Sequence, residues 1–461
     1  MSNSSFRARR GQLLVVLLLA ACGRQAPAVT VPAVSAAAPA AVAPTKPLST
    51  MAQVGRRLFF EPALSISGQQ SCASCHDPAH AFAPPNGLAV QLGGPNLDRP
   101  GLRAVPKLTY LILTPPFSIG PDDEGTLEAH PAPLHGGKAV LATAPTSPAL
   151  ARVAPGVAKS GDPAAAAAAL VPRGGLFWDG RVDTLQGQAL APLLNPLEMG
   201  NTSAAEVVAK LRRLGVAAQL EPLAGAGVDT DDKLLLSEAL FAIGRYEAEE
   251  KAFASYDSKY DRYLDGKLAL SEAEQRGLKL YEDPKKGNCA ACHPDRKGAG
   301  GTRPLFTDFQ FEALGVPRNA EIAANTDPKF HDLGLCGPER KDAYSRQASN
   351  CGLFKTPSLR NVATRGAFFH NGVYHSLEQV LRFYAGRDLH PEKFYPRKAD
   401  GTVDAYDDLP PRYRANLDTL DAPFDRKPGQ APALDEAEQA DIIAFLKTLT
   451  DGYRDDTAAA R

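Results

Sequence analysis

Two Cys-x-x-Cys-His units, Cys72-Ala-Ser-Cys75-His76 and Cys289-Ala-Ala-Cys292-His293, are the residues of this chain with the most chemistry in them. In each, two thiols one helical turn apart can add across the vinyl groups of a haem, and the adjoining imidazole is then carried onto the iron as its proximal ligand. A zinc site would need four ligands brought together, and a dithiol redox site has no use for a histidine in the fifth place twice over. The spacing therefore predicts two covalently bound haems c.

Elements must position these units, and the sequence outlines several. Ser271 followed by Glu274 reads as a capping box, starting a helix through Arg276, Leu278 and Leu280 toward Cys289. Asp435 to Leu449 reads as an amphipathic helix carrying Ala440, Ile443, Phe445 and Leu446, suited to pack on the attachment helix. Strand signals are sparse and prolines abundant, so the expected fold is mainly α: two cytochrome c-like haem domains with long loops. Residues 50–265 are expected to form the first domain and 266–452 the second, with a tail at 453–461. No internal repeat beyond the two haem units is evident. With 461 residues, a formal charge of −1 and 44% hydrophobic content, the chain can build two ordinary cores, and nothing marks it as a nucleic-acid binder.

Arg7, Arg9 and Arg10 precede a short apolar run, Leu13 to Ala21, which suits a signal peptide and is too short to span a bilayer. The run ends in Leu-Ala-Ala-Cys-Gly, resembling a bacterial lipobox. Residues 1–22 are thus expected to be a lipoprotein signal, with Cys22 acylated and the membrane touched by that anchor only. Residues 23–49, mostly Ala, Pro, Val and Thr, would be an extended spacer holding the body on the periplasmic side. Cys336 and Cys351 remain, and in an oxidising compartment a disulfide is the expected outcome; the intervening segment holds no His for a metal.

Further residues carry a resemblance. Leu58-Phe-Phe-Glu-Pro-Ala-Leu-Ser65, Cys72 to Phe82, Phe177-Trp-Asp-Gly-Arg181, Pro196-Leu-Glu-Met199 and Phe354-Lys-Thr-Pro-Ser-Leu-Arg-Asn361 occur in order. Together they resemble the bacterial dihaem cytochrome c peroxidases and the related MauG enzymes over most of residues 50–450. The resemblance implies that the N-terminal haem meets peroxide, that the C-terminal haem stores or relays electrons, and that Trp178 lies between them. It assigns the distal pocket of the first haem to Gln188, Pro192 and Glu198. Cleaving peroxide requires a proton to move from one oxygen to the other, and Glu198 is the expected carrier.

Three departures from that family are visible. The loop Gly87 to Asp98 lacks the His that in many relatives blocks the first iron, so that iron is expected open; His80 lies too near His76 to serve, and is expected to be structural or at the surface. The Met ligand expected fourteen positions after His370 is replaced by Tyr384, a hard anionic donor that favours oxidised iron, with His370, His375 or water as the alternatives. The family's calcium positions correspond to Ala104, Arg365 and Ala367, which lose the side-chain oxygen and add a cation, so calcium is a doubtful cofactor although carbonyl ligands could survive. An insert at about 114–175, containing His130, His135 and an alanine run at 164–169, is longer than the family needs and could dock a partner.

The expected activity is a MauG-like dihaem oxidoreductase. It would react with hydrogen peroxide and exchange electrons with a small cytochrome, a cupredoxin or an exported protein substrate. A cytochrome c peroxidase that detoxifies peroxide is the nearest alternative. A non-catalytic dihaem electron carrier is the rival of another class.

Overall fold

Two helix crossings, alike in detail, carry the two halves of the protein. In the first, α1 (Thr50–Phe59) packs on α6 (Asp232–Glu249). An ideal Cβ on Gly55 would lie 1.8 Å from the carbonyl oxygen of Ala242, so only glycine permits the approach. Four residues along each helix, Phe59 and Tyr246 meet edge-on with ring centroids 5.4 Å apart. The crossing is clamped at one end, where Ser49, the N-cap of α1, donates through its N–H and its hydroxyl to the Glu249 carboxylate at 2.8 and 2.9 Å.

In the second, α8 (Glu272–Glu282) packs on α10 (Glu436–Lys447). Here a Cβ on Gly277 would lie 2.0 Å from the carbonyl oxygen of Asp441. Tyr281 and Phe445, again four residues on, meet edge-on at 5.0 Å. Both helices start at capping boxes, Ser271 with Glu274 and Asp435 with Glu438, so the two helix starts anticipated in the sequence are present. Arg276 adds a bidentate pair to Asp441 at 2.7 and 2.8 Å. The internal repeat is thus longer than the haem motifs: Gly-x-x-x-aromatic ahead of each motif, and a partner aromatic on a later helix.

The computed structural model describes residues 46–121 and 170–455. The signal, Cys22, most of the 23–49 spacer, His130, His135, the alanine run and the end of the tail lie outside the described residues. The insert begins and returns through β3 (Ser118–Pro121) paired antiparallel with β4 (Leu170–Arg173). Two shorter ladders, β1 (Leu92–Gly93) with β2 (Arg99–Pro100) and β5 (Phe311–Glu312) with β6 (Phe354–Lys355), complete the sheet content among the described residues. No helix there is long and apolar enough to cross a membrane.

The remaining helices fill in around the crossings. α3 (Leu185–Leu194), α4 (Ala204–Arg213) and α5 (Val216–Ala224) join α1 and α6 around Leu58, Phe59, Phe82, Leu211, Leu220 and Phe253. α7 (Lys259–Leu264) and α9 (Leu377–Gly386) join α8 and α10 around Tyr260, Tyr281, Phe306, Ile442 and Phe445. Tyr260 already belongs to the second core, which places the change of core between Phe253 and Tyr260, ahead of the boundary expected at 265. Cys336 and Cys351 form a disulfide beside a small cluster of Phe311, Ala313, Leu335 and Leu353.

Replacing Gly277 by Ala should force α8 away from α10. Overpacking of this kind costs about 1–3 kcal/mol, so thermal unfolding should move down by several degrees. Gly101→Ala is the control: its Cβ would meet nothing closer than 3.5 Å, and it should unfold like the parent.

Candidate haem sites and the segment between them

Each Cys-x-x-Cys-His unit is delivered by its helix crossing and finished by one backbone carbonyl. The first motif forms the short helix α2 (Cys72–Cys75), and the Nδ1 of His76 lies 3.2 Å from the carbonyl oxygen of Phe82. In the second, Nδ1 of His293 lies 2.8 Å from the carbonyl oxygen of Phe306. Phe82 and Phe306 both adopt positive φ, 54° and 55°, which turns their carbonyls onto the rings. A carbonyl can only accept, so Nδ1 carries the proton in both rings and Nε2 keeps its lone pair for iron. Burial lowers both imidazoles to about 4, so both are neutral at neutral pH, the form in which an imidazole can bind iron.

The sulfurs suit thioethers. Burial pushes Cys72 up to about 12, Cys75 to about 11, Cys289 to about 12 and Cys292 well above its ordinary value. Such surroundings disfavour the thiolates that zinc requires. Among the described residues no group of three or more His, Cys, Asp and Glu side chains is placed to hold a metal ion.

Around the second motif an elongated, mostly apolar cavity is lined by Cys289, Cys292, His293, His370 and Tyr384 and continues past Trp178 to Gln188. The Lys107 side chain also lines it; its Nζ is buried without a hydrogen-bond partner, and burial drops its pKa well below the usual lysine value. An apolar slot with paired thiols, an imidazole lone pair and an unmatched cation fits a haem, whose ring is apolar and whose propionates are anionic.

Of the alternatives for the sixth position at this site, Tyr384 stands close enough to Cys289 and Cys292 that their charges would act on it, while Arg387 nearby favours its phenolate. Burial raises its pKa strongly until a metal or cation offsets it. His370 lines the same cavity with an unpartnered Nε2, but its ring is stacked on Phe354 at 3.6 Å and its charged neighbours are Asp332 and Arg103. His375 is outside, bonded to the Gly366 carbonyl and paired with Glu321.

Glu198 follows α3 in the turn Asn195–Gly200. Its backbone is trapped by β1: the N–H of Gly94 donates to the Glu198 carbonyl at 2.7 Å, and a Cβ on Gly93 would lie 2.5 Å from that oxygen. Asn195 donates to its Oε1 at 2.7 Å. Burial raises this carboxyl to about 7, against the opposing pull of Arg181 and the Asn195 bond. Glu198 is near enough to Cys75 to raise the thiol's pKa, and Gln70 spans to Cys75 Sγ and the Leu92 carbonyl. Gln188 is buried on α3, one turn before Pro192, whose carbonyl accepts from the N–H of Met199 and so ties α3 to the Glu198 turn. His80 is partly exposed and bonded to Asp77 at 2.8 Å.

One short segment, 104–110, touches both motifs. Ala104 accepts from Trp178 Nε1 at 2.8 Å and donates to the His370 carbonyl at 2.7 Å. Leu108 donates to the Phe82 carbonyl that also holds His76. Tyr110 donates from its backbone to Phe253 in the first core and from its hydroxyl to Asp451 beside the second. Asp179, next to Trp178, is fully buried; burial alone would raise its pKa, but Arg103 and Arg181 hold it below the usual range.

Two participants had no signal in the sequence reading. Lys107 is one. Glu247 on α6 is the other: its Oε2 is buried without a partner, burial raises it to about 8, and it acts electrostatically on Cys72. Only its position one residue after Tyr246, the aromatic of the first crossing, could have drawn notice.

The positions corresponding to a calcium site in the resembling family do not suit that ion. Ala104 offers a methyl group, and the guanidinium of Arg365 donates to the carbonyls of Ala367 and Val105 at 3.1 and 3.2 Å. Those oxygens are engaged.

Comparison with known proteins agrees with this geometry. Residues 49–269 match the family described as di-haem cytochrome c peroxidase. The chain is 32% identical over 416 residues to the methylamine utilization protein MauG of Paracoccus denitrificans, covering 87% of this chain and 88% of that one. It is 31% identical over 225 residues to the cytochrome c peroxidase Ccp of Escherichia coli, covering 47% of this chain and 42% of that one. The crystal structure of the diheme peroxidase BthA from Burkholderia thailandensis superposes with a TM-score of 0.71 at 34% identity, over 89% of this chain and 88% of that one. Two like haem-binding crossings joined by one segment, in a chain with these relatives, make this protein a dihaem oxidoreductase belonging to the cytochrome c peroxidase and MauG family.

Proposed function

We propose that the protein reacts with hydrogen peroxide at the haem attached through Cys72 and Cys75, and passes oxidising equivalents to the haem attached through Cys289 and Cys292. A bound haem supplies the iron and the electrons for cleaving the O–O bond; the chain supplies the proton path and the geometry. His76 and His293 serve as proximal ligands, their tautomers fixed by Phe82 and Phe306. Glu198, held by Asn195 and by the β1 backbone, accepts a proton from the incoming peroxide and returns it to the departing oxygen. Gln188 and Pro192, on the helix that leads into the Glu198 turn, are the further residues proposed for the distal side.

Trp178, buried and hydrogen-bonded to Ala104, is the proposed relay between the sites. Tyr384 is the proposed sixth ligand of the second iron, where an anionic oxygen donor stabilises the oxidised metal. A partner protein (a small cytochrome, a cupredoxin or an exported substrate) supplies the electrons. The reading includes export to the periplasm with attachment through an acylated Cys22.

The single observation that carries this reading is a partly sheltered carboxyl, raised to about 7, next to the first attachment motif. A carboxyl of that kind can both take and give a proton near neutral pH. The base form must be present to begin the cycle. Peroxide consumption should therefore rise with pH as the Glu198 carboxyl ionises and level off once it is ionised. Glu198→Gln should lower the second-order rate with peroxide by ~10²- to 10⁴-fold and remove the inflection, leaving ferric and ferrous spectra nearly unchanged. A variant with parental rate and pH profile would remove Glu198 from the proton path.

Tyr384→Phe tests the second iron. The low-spin ferric signal in electron paramagnetic resonance should change while haem attachment, read by mass, stays complete. Unaltered g-values would assign the sixth position to another group, His370 being the next in the cavity.

A further inference from the structure

Arg365 is a part-buried cation with no described carboxylate partner. Its Nε donates to the Ala367 carbonyl and its NH2 to the Val105 carbonyl, so the side chain bridges the loop before Phe368 and the segment between the haem motifs. Burial alone lowers its pKa, to about 10, because no anion stands near enough to offset the desolvation. It remains charged at any pH the protein meets. Lys107 lies close by in the same cavity, and each cation depresses what it faces: Arg365 acts on His76 and Lys107, and Lys107 acts on His293.

The oxygens at this junction are taken by donors of the chain itself. Trp178 Nε1 occupies the Ala104 carbonyl, Arg365 occupies those of Val105 and Ala367, and the His375 ring lies 3.0 Å from that of Gly366. Calcium needs six to eight oxygens at 2.3–2.6 Å. It would have to displace these bonds and then sit beside the Arg365 guanidinium, with no carboxylate among the described residues paired to it.

We propose that Arg365 is a tethered cation that takes the place of a divalent metal between the two haem sites: it ties the two segments together, keeps a fixed positive charge between the irons, and makes the protein independent of calcium. The charge belongs to the covalent structure and cannot be lost by dilution or chelation. A unit positive charge held in this low-dielectric junction stabilises the reduced, less positive state of each haem next to it. The inference rests on the dihaem reading but not on the proposed role of Glu198.

The test uses the purified holoprotein with both haems attached. Elemental analysis after desalting from a buffer containing calcium chloride should find far less than one calcium per chain. Treatment with EGTA should leave the Soret band, the paramagnetic resonance spectrum and the melting temperature where they were. Arg365→Met, which keeps the bulk and loses the charge, should lower the midpoint potential of at least one haem, and Arg365→Lys should restore most of it. One calcium per chain whose removal alters the spectra would overturn the proposal, as would an Arg365→Met variant with both potentials unmoved. None of these readouts depends on peroxide turnover, so they stay informative whatever Glu198→Gln does.

Discussion

The carbonyl oxygens of Ala242 and Asp441 stand where a side chain on Gly55 or Gly277 would have to go, and that close approach organises the molecule twice. A chain that wraps a haem gives up part of its core to the cofactor, so its helices have less of their own surface to bury against one another. A crossing at van der Waals contact compensates by locking two helices backbone to backbone. The aromatic pairs one turn further on, Phe59 with Tyr246 and Tyr281 with Phe445, then form the floor from which each attachment motif departs. Tyr281 adds a direct link, donating its hydroxyl to the carbonyl of His293 at 2.5 Å. His293 is thereby registered to the crossing, and the crossing to α10.

The two halves are coupled by a stretch of chain too short to be a domain feature. Segment 104–110 binds Trp178, the His370 loop, Arg365, Phe82, Phe253 and Asp451. A displacement of this segment would move the His76 carbonyl partner and the Trp178 indole together, since both are bonded to it. Arg360 reinforces the same junction from the other side: its guanidinium is paired with Asp261, both almost wholly buried, and lies against the rings of Tyr110 and Tyr256. A buried pair of this kind adds less to net stability than to specifying one arrangement, because the charges have no other place to be satisfied.

What could be read in the sequence was the chemistry written in local spacing. Cys-x-x-Cys-His and Ser271 with Glu274 each act within one helical turn, so their meaning survives without tertiary knowledge. The mainly helical character with little sheet was legible for the same reason. Long-range pairings were not. Gly55 is one glycine among 39, and nothing local says that it faces Ala242 some 190 residues away. Nothing in the local pattern around Lys107 or Glu247 marks either residue; only the fold buries them. Arg365 was legible as a cation in an unexpected place, but the carbonyls it engages come from residues 105 and 367, a pairing that sequence cannot supply.

The buried charges also say how folding and cofactor are linked. Lys107 and Arg365 sit in or beside a cavity that offers them no carboxylate, while Glu198 and Glu247 are held above their ordinary pKa near the first motif. Each costs stability in the chain alone, since a desolvated charge without a partner is either neutralised or poorly tolerated. A bound haem would fill the apolar slot, and its iron would favour ionised acids beside it. The parts of the chain most strained without the cofactor are therefore the ones closest to its chemistry. Attachment through two thioethers at each motif, as proposed, would make that relief permanent, and the same groups that destabilise the bare chain would then act on its irons.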